Sequence, residues 1–257
     1  MRFFRLSLIV LVFLFVSSRL ISQETVEDSV TASSIPMFYG FYGYQWPGGD
    51  LKEQFGSNSV IGPGFMWKTK SNLIFGAEYD FHFGNNVKNT MDIFKYILDS
   101  DGNVISSDGV PALVATFERC NSFGANFGKL FPVIRNDKNS GIFISAGIGY
   151  IMHKIRIEVE NNGAPQLKGD YKRGYDRLTG GLMLNQSVGF MYFGDNKLMN
   201  FTFSVEIFEA WVKPYRDYYF DLMAPPPESR QFDLLIGPKI AWMIPLRQRN
   251  VNKYYYY

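Results

Sequence analysis

The chain has 257 residues, of which 17% are aromatic, with 24 Gly, 24 Phe, 16 Tyr and a single cysteine, Cys120. Its mean hydropathy of −0.10 excludes a bundle of membrane helices, though not a barrel whose strands are polar at alternate positions, and one cysteine excludes a disulfide framework. A formal charge of +2 gives no electrostatic support to a nucleic-acid role.

Residues 1–22 have a basic start (Arg2, Arg5), an apolar run over 6–16 and the small residues Ser17 and Ser18. That order marks a secretory signal peptide, and the run is too short to cross a bilayer as a helix. Of the 26 Lys and Arg, the leader holds Arg2, Arg5 and Arg19 and no acid, so the remainder stands near neutrality against 24 Asp and Glu. Residues 23–35 carry no apolar period and read as a flexible periplasmic lead-in.

Eight extended segments follow, over 36–46, 58–69, 72–83, 112–131, 141–160, 177–194, 199–217 and 230–247. Most alternate with period two. In 72–83, Phe75, Tyr79, Phe81 and Phe83 share one face, while Glu78, Asp80 and His82 share the other. In 230–247, Phe232, Leu234, Ile236, Ile240 and Trp242 oppose Asp233, Gly237 and Lys239. Near His153 the apolar parity passes to Ile155, Ile157 and Val159, which predicts a bulge or an exit from the membrane.

The connections run long and short in turn: 47–57, then 70–71, then 84–111, then 132–140, then 161–176, then 195–198, then 218–229. An up-and-down outer-membrane barrel has this asymmetry, with long outer loops and short periplasmic turns, and an even strand count returns both termini to the periplasm. The predicted fold is all-β: an eight-stranded antiparallel up-and-down transmembrane β-barrel over 36–248, in the outer membrane of a Gram-negative bacterium. The 84–111 connection reads as an extracellular hairpin turning at Asp101-Gly102. The residues 249–257, ending in Tyr254, Tyr255, Tyr256 and Tyr257, form a periplasmic tail. Glycines collect on the polar face, as a narrow interior requires. Trp46 and Tyr79 fall near the outer strand ends, and Trp67, Tyr192 and Trp242 near the inner ones, which makes two aromatic girdles.

Glu78, Asp80, His82, Glu118, Glu206, Asp233 and Lys239 point inward. Carboxylate with imidazole is general acid–base material. The structural alternative is a lumen ion network in which Lys239 pairs several carboxylates, and this reading is favoured. The competing function is an outer-membrane lipid or protein hydrolase using His82 or His153 with a neighbouring carboxylate; a third is a narrow ion pore. Asp99 to Asn103 looks like a fragment of a calcium loop but lacks the later acidic ligand, so no metal and no cofactor are expected. Two outer loops carry Tyr171, Arg173, Tyr175 and Arg177, and Tyr215, Arg216, Tyr218 and Tyr219. These residue types favour a protein partner, or they pack on one another or face lipopolysaccharide headgroups.

The architecture resembles the small eight-stranded outer-membrane barrels, of which the OmpA-type transmembrane domain is the best known. The mature start at Gln23, the run Gly48-Gly49-Asp50-Leu51-Lys52 and the ending 233–242 resemble exported proteins of Bacteroidota. Asp28-Ser29-Val30 resembles the short O-glycosylation motif of that phylum. The resemblance implies a non-enzymatic structural or accessory subunit of an envelope complex, since some small barrels of that phylum anchor type 9 secretion and gliding complexes. Its expected partners are outer-membrane lipid, lipopolysaccharide and envelope proteins. No functional residue carries over.

Overall fold

The computed structural model describes residues 31–134, 137–160, 163–194 and 198–246. The expected signal peptide, the Asp28-Ser29-Val30 motif and the tyrosines of 254–257 lie outside the described residues. Period-two alternation becomes a ring of antiparallel strands: β1 (Ile35–Gly49), β2 (Asn58–Lys68), β3 (Leu73–Gly84), then, after the short pair β4 (Val104–Ile105) and β5 (Pro111–Ala112), β6 (Val114–Ile134), β7 (Asp137–Val159), β8 (Thr179–Phe193), β9 (Asn200–Pro214) and β10 (Gln231–Pro245). The eight long strands pair in chain order, and β10 closes on β1, so the barrel has no free edge. The predicted eight-stranded up-and-down barrel is the observed one.

Inside and outside are sorted residue by residue. On β9, Asn200, Thr202, Ser204, Glu206 and Phe208 are buried, while Phe201, Phe203 and Val205 are exposed. The exposed set on the other strands is equally apolar, including Phe65, Phe75, Phe123, Ile148, Val188, Ile236 and Ile240. A soluble barrel has the opposite sorting, with its apolar face inward.

Short turns gather at one end and long connections at the other. Between β2 and β3 the chain turns through 69–72. Asn72 takes a left-handed φ of 60°, and the Thr69 hydroxyl accepts from Leu73 N–H at 3.1 Å. At the opposite end Gly49 has φ 60°, and a Cβ there would meet Phe232 O at 2.1 Å. Only glycine allows that approach. It lets Asp50 N–H donate to Phe232 O at 2.7 Å while the Asp50 carboxylate accepts from Phe232 N–H at 2.7 Å, which fixes where β10 begins.

Three expectations need correction. The connection expected at 132–140 is mostly strand: β6 and β7 pair as far as Ile134 with Asp137, across a register shift at Pro132/Ile134. Of the bulge or membrane exit expected near His153, the bulge does not occur. The β6–β7 ladder runs unbroken past it to Val114 with Val159, whereas β8 stops pairing with β7 at His153. The two strands of 21 and 23 residues therefore outgrow the barrel as a two-stranded extension. Ile155 and Ile157 keep the inward parity, and what changes is the company, now a cap of loop residues that includes Ile93, Phe94, Val104 and Leu167.

Third, the 84–111 connection makes only one rung of the hairpin expected at Asp101-Gly102, between Leu98 and Val104. A short helix, α2 (Thr90–Phe94), occupies the chain just before that turn and buries Ile93 and Phe94. The two-stranded ladder forms one turn later, between β4 and β5. A helical turn, α1 (Leu51–Gln54), lies over the same end with Leu51 and the following Phe55 buried.

Candidate functional site

The interior is layered. At the short-turn end an apolar layer is built from Met37, Ile74, Leu130, Phe143, Met191 and Met243. At the loop end a larger one contains Phe55, Ile151, Ile155, Phe208, Val212 and Leu235. The charged residues lie between and among these, so the lumen is not a uniform plug of ion pairs.

Lys239 on β10 is the hub. Its Nζ donates to Glu78 Oε2 on β3 at 2.7 Å, lies 3.0 Å from Glu206 Oε1 on β9, and sits 3.9 Å above the Phe41 ring. Tyr39 on β1 donates its hydroxyl to the same Glu78 Oε2 at 2.9 Å. Gly64 makes this possible, because a Cβ there would meet Tyr39 Cζ at 2.1 Å. Glycine on β2 is thus the floor on which the tyrosine ring lies flat.

A second chain of contacts runs from β1 to β6. Nδ1 of His82 is 2.8 Å from Gln45 Oε1, Nε2 is 3.2 Å from Ser122 Oγ, and Ser122 Oγ donates to Asp80 Oδ2 at 2.8 Å. A third group lies nearer the loop end. His153 Nε2 meets Asp233 Oδ2 at 2.8 Å with the Phe55 ring edge-on to the imidazole, and Asn58 Nδ2 donates to Glu118 Oε1 at 2.9 Å.

All seven residues expected in the lumen are therefore buried, but in three groups rather than one network. Period two found them because it assigns a face. It could not find Tyr39, Gln45, Asn58 and Ser122, since neutral polar residues on an inward face carry no signal of which charge they serve. Lys68 was also missed. It is buried at the short-turn end, where its Nζ donates to Asn139 Oδ1 at 2.9 Å and to Ser33 O at 3.2 Å. Ser33 N–H donates to the same Asn139 oxygen at 2.9 Å, so the segment before β1 is tied across that mouth.

Gln45, His82 and Ser122 have the order of an orienter, base and nucleophile, the arrangement a hydrolase needs. Three facts count against it. Ser122 gives its hydroxyl proton to Asp80 at 2.8 Å rather than to His82, all three side chains are buried, and apolar layers close both ends. His153 is likewise enclosed, between Asp233 and Phe55. What this arrangement can do is hold charge and seal the barrel.

The eight rim residues divide in two. Arg216 donates to Asp176 from Nε at 2.9 Å and from Nη2 at 2.5 Å, and Arg177 pairs with Asp221. The Asp176 hydrogen bonds raise the Arg216 pKa above its ordinary value. Tyr175 and Tyr219 are buried, and burial pushes both hydroxyls up. These four join the two loops, helped by Phe220 N–H donating to Gly174 O at 3.0 Å. Only Tyr171, Arg173, Tyr215 and Tyr218 remain exposed. Tyr175 and Tyr219 are thus buried, and Arg177 and Arg216 are half-buried, each paired with a carboxylate on the facing loop, so these four pack the loops on one another.

The expected aromatic girdles face outward. Trp67 donates Nε1 to Ser34 Oγ at 2.9 Å and Trp242 to Leu198 O at 2.8 Å at the short-turn end, with Tyr192 exposed nearby. Trp46 and Tyr79 lie toward the other end, where Tyr79 donates to Asn121 Oδ1 at 2.5 Å. The Asp99 carboxylate accepts from Asp101 and Asn103 N–H at 3.0 and 2.7 Å, capping its own turn. Among the described residues no group of three or more His, Cys, Asp or Glu side chains is placed to hold a metal.

Fold and site together define a small closed β-barrel with a filled interior and an apolar, aromatic-rimmed exterior. Among solved structures, the attachment invasion locus protein Ail of Yersinia pestis, in complex with the heparin analogue sucrose octasulfate, aligns at 6% identity with a TM-score of 0.42, over 82% of this chain and 99% of its own. The outer membrane protein OprG from Pseudomonas aeruginosa aligns at 11% identity with a TM-score of 0.39, over 85% of this chain and 99% of its own. No protein-family model matches the chain, and no curated protein does. These likenesses decide nothing about its chemistry.

Proposed function

We propose that this chain is an integral outer-membrane β-barrel without enzymatic activity, serving as a structural or accessory subunit of a larger envelope complex. The observation that carries the reading is the inverted sorting of the strands: apolar and aromatic side chains face out between two rings of Trp and Tyr, while charges are shut inside. Lipid is the solvent that makes this arrangement favourable. Lys68 and Asn139 at the short-turn mouth and the apolar layers in the lumen count against steady ion conduction. Thr31 and Leu246 leave the barrel at the short-turn end, tied there by Leu246 N–H donating to Pro36 O at 2.9 Å. In this reading that end, and the tail of 249–257, are periplasmic.

The folded barrel should move faster on a gel before boiling than after, and it should resist alkaline carbonate extraction. Extraction together with no mobility shift overturns membrane insertion. The subunit role, with type 9 secretion and gliding as the setting that the resemblance suggests, is tested by purification from native membranes in mild detergent. An envelope protein should co-purify in fixed ratio and be lost from Tyr171→Ala/Tyr218→Ala. Replacing both His82 and His153 should leave the phenotype intact; loss of an activity in a protein that still shows the mobility shift overturns the non-enzymatic role.

A further inference from the structure

Outward polar side chains on this barrel are almost all accounted for. Asn121 accepts from Tyr79, Ser59 shares a hydrogen bond of 3.1 Å with Tyr42, Lys129 lies 5.6 Å from the Phe131 ring centroid, and Arg119 lies 5.4 Å from that of Phe117. Glu209 stands one outward position from Trp211, within reach of the headgroup region.

Gln186 is the exception. It faces outward at the centre of the β8 run Leu182, Leu184, Gln186, Val188 and Phe190, with Tyr192 of the inner girdle beyond. Its ladder partners are Ala146 on β7 and Ile207 on β9. Among the described residues nothing hydrogen-bonds its amide. An unpaired amide at that depth in hydrocarbon is costly, and from the middle of the belt its side chain is too short to reach either interface.

We propose that the β7–β8–β9 face is an interface inside the membrane whose occupant is a second copy of this chain, paired amide to amide at Gln186. A primary amide is donor and acceptor at once. Across a two-fold axis, where identical patches meet, each Nε2–H donates to the partner's Oε1 and both groups are satisfied. A carboxylate or an ammonium at the same place could not pair with itself. Ala146 beside Gln186 lets the two surfaces come close, between the bulkier Ile148, Phe190 and Ile207. The inference rests on the reading of this face as lipid-facing.

The test is Gln186→Cys in the full chain, oxidised in native outer membranes, with Ala77→Cys on β3 across the barrel as the control. Native Cys120 is buried inside and stays silent. A reducible band at twice the chain's mass for Q186C, absent for A77C, is expected. No band from protein that resists carbonate and keeps its mobility shift overturns the pairing but not the membrane reading; extraction by carbonate overturns both. Equal yields from the two cysteines, or an adduct of another mass, also overturn the self-pairing. Gln186→Leu, measured by energy transfer between labelled chains in lipid vesicles, should lower the dimerisation constant by about 3- to 30-fold; an unchanged constant overturns the proposal independently.

Discussion

Lys239 is the only cation hydrogen-bonded to Glu78 and Glu206 among the described residues, so its removal strands carboxylates in a sealed layer. Lys239→Met should cost about 3–5 kcal/mol, read as a lower urea midpoint for the barrel refolded in lipid vesicles, because an uncompensated buried charge is far more expensive than a missing pair. Adding Glu78→Gln should return part of that loss, and a double variant no better than the single one would contradict the pairing. Gly64→Ala is a subtler probe. The new methyl must displace the Tyr39 ring, breaking its bond to Glu78, at about 1–3 kcal/mol. Tyr39→Phe in the same background should then cost almost nothing further. At this scale the sequence was legible in one respect only. Parity showed that Glu78, Asp80, His82, Glu118, Glu206, Asp233 and Lys239 look inward, but which one meets which depends on strand register and barrel shear, and neither is written in any single strand.

At the scale of elements, the strands were readable because lipid and lumen impose opposite demands on neighbouring residues. The loops were not, since no such alternation disciplines them. Ile155 and Ile157 mislead for this reason: their strand continues without a break while its surroundings change from lumen to loop cap. The β4–β5 pair was missed because two residues a side leave no period to detect. Asp176 and Asp221, one on each outer loop, show how the rim is held. Asp176→Ala should release Arg216 and expose 163–178 and 215–230 to protease, while the barrel keeps its gel mobility shift. Unchanged protease resistance would show that apolar packing around Tyr175 and Phe220 holds the loops without the ion pair.

For the molecule as a whole, the sorting of side chains names the solvent on each side, and function follows from what is left accessible. Apolar layers fill the interior toward both ends, so the rim, the short-turn end and the outer wall remain for contact. Position-dependent substitution distinguishes lipid from water on that wall. Val205→Arg, midway along the exposed face of β9, should destabilise the barrel in vesicles by about 2–4 kcal/mol, whereas Leu113→Arg, exposed at the loop end just before β6, should be close to neutral. Equal effects at the two sites would mean that both face water.

The chain's 4 tryptophans offer the most direct measurement. Trp46, Trp67, Trp211 and Trp242 all point outward near the two rims of the barrel. In vesicles whose lipids carry bromine at defined depths, their fluorescence should be quenched, and more strongly by bromine close to the headgroups than by bromine at the chain ends. Fluorescence untouched by bromine at either depth would contradict a barrel with its aromatic face in lipid.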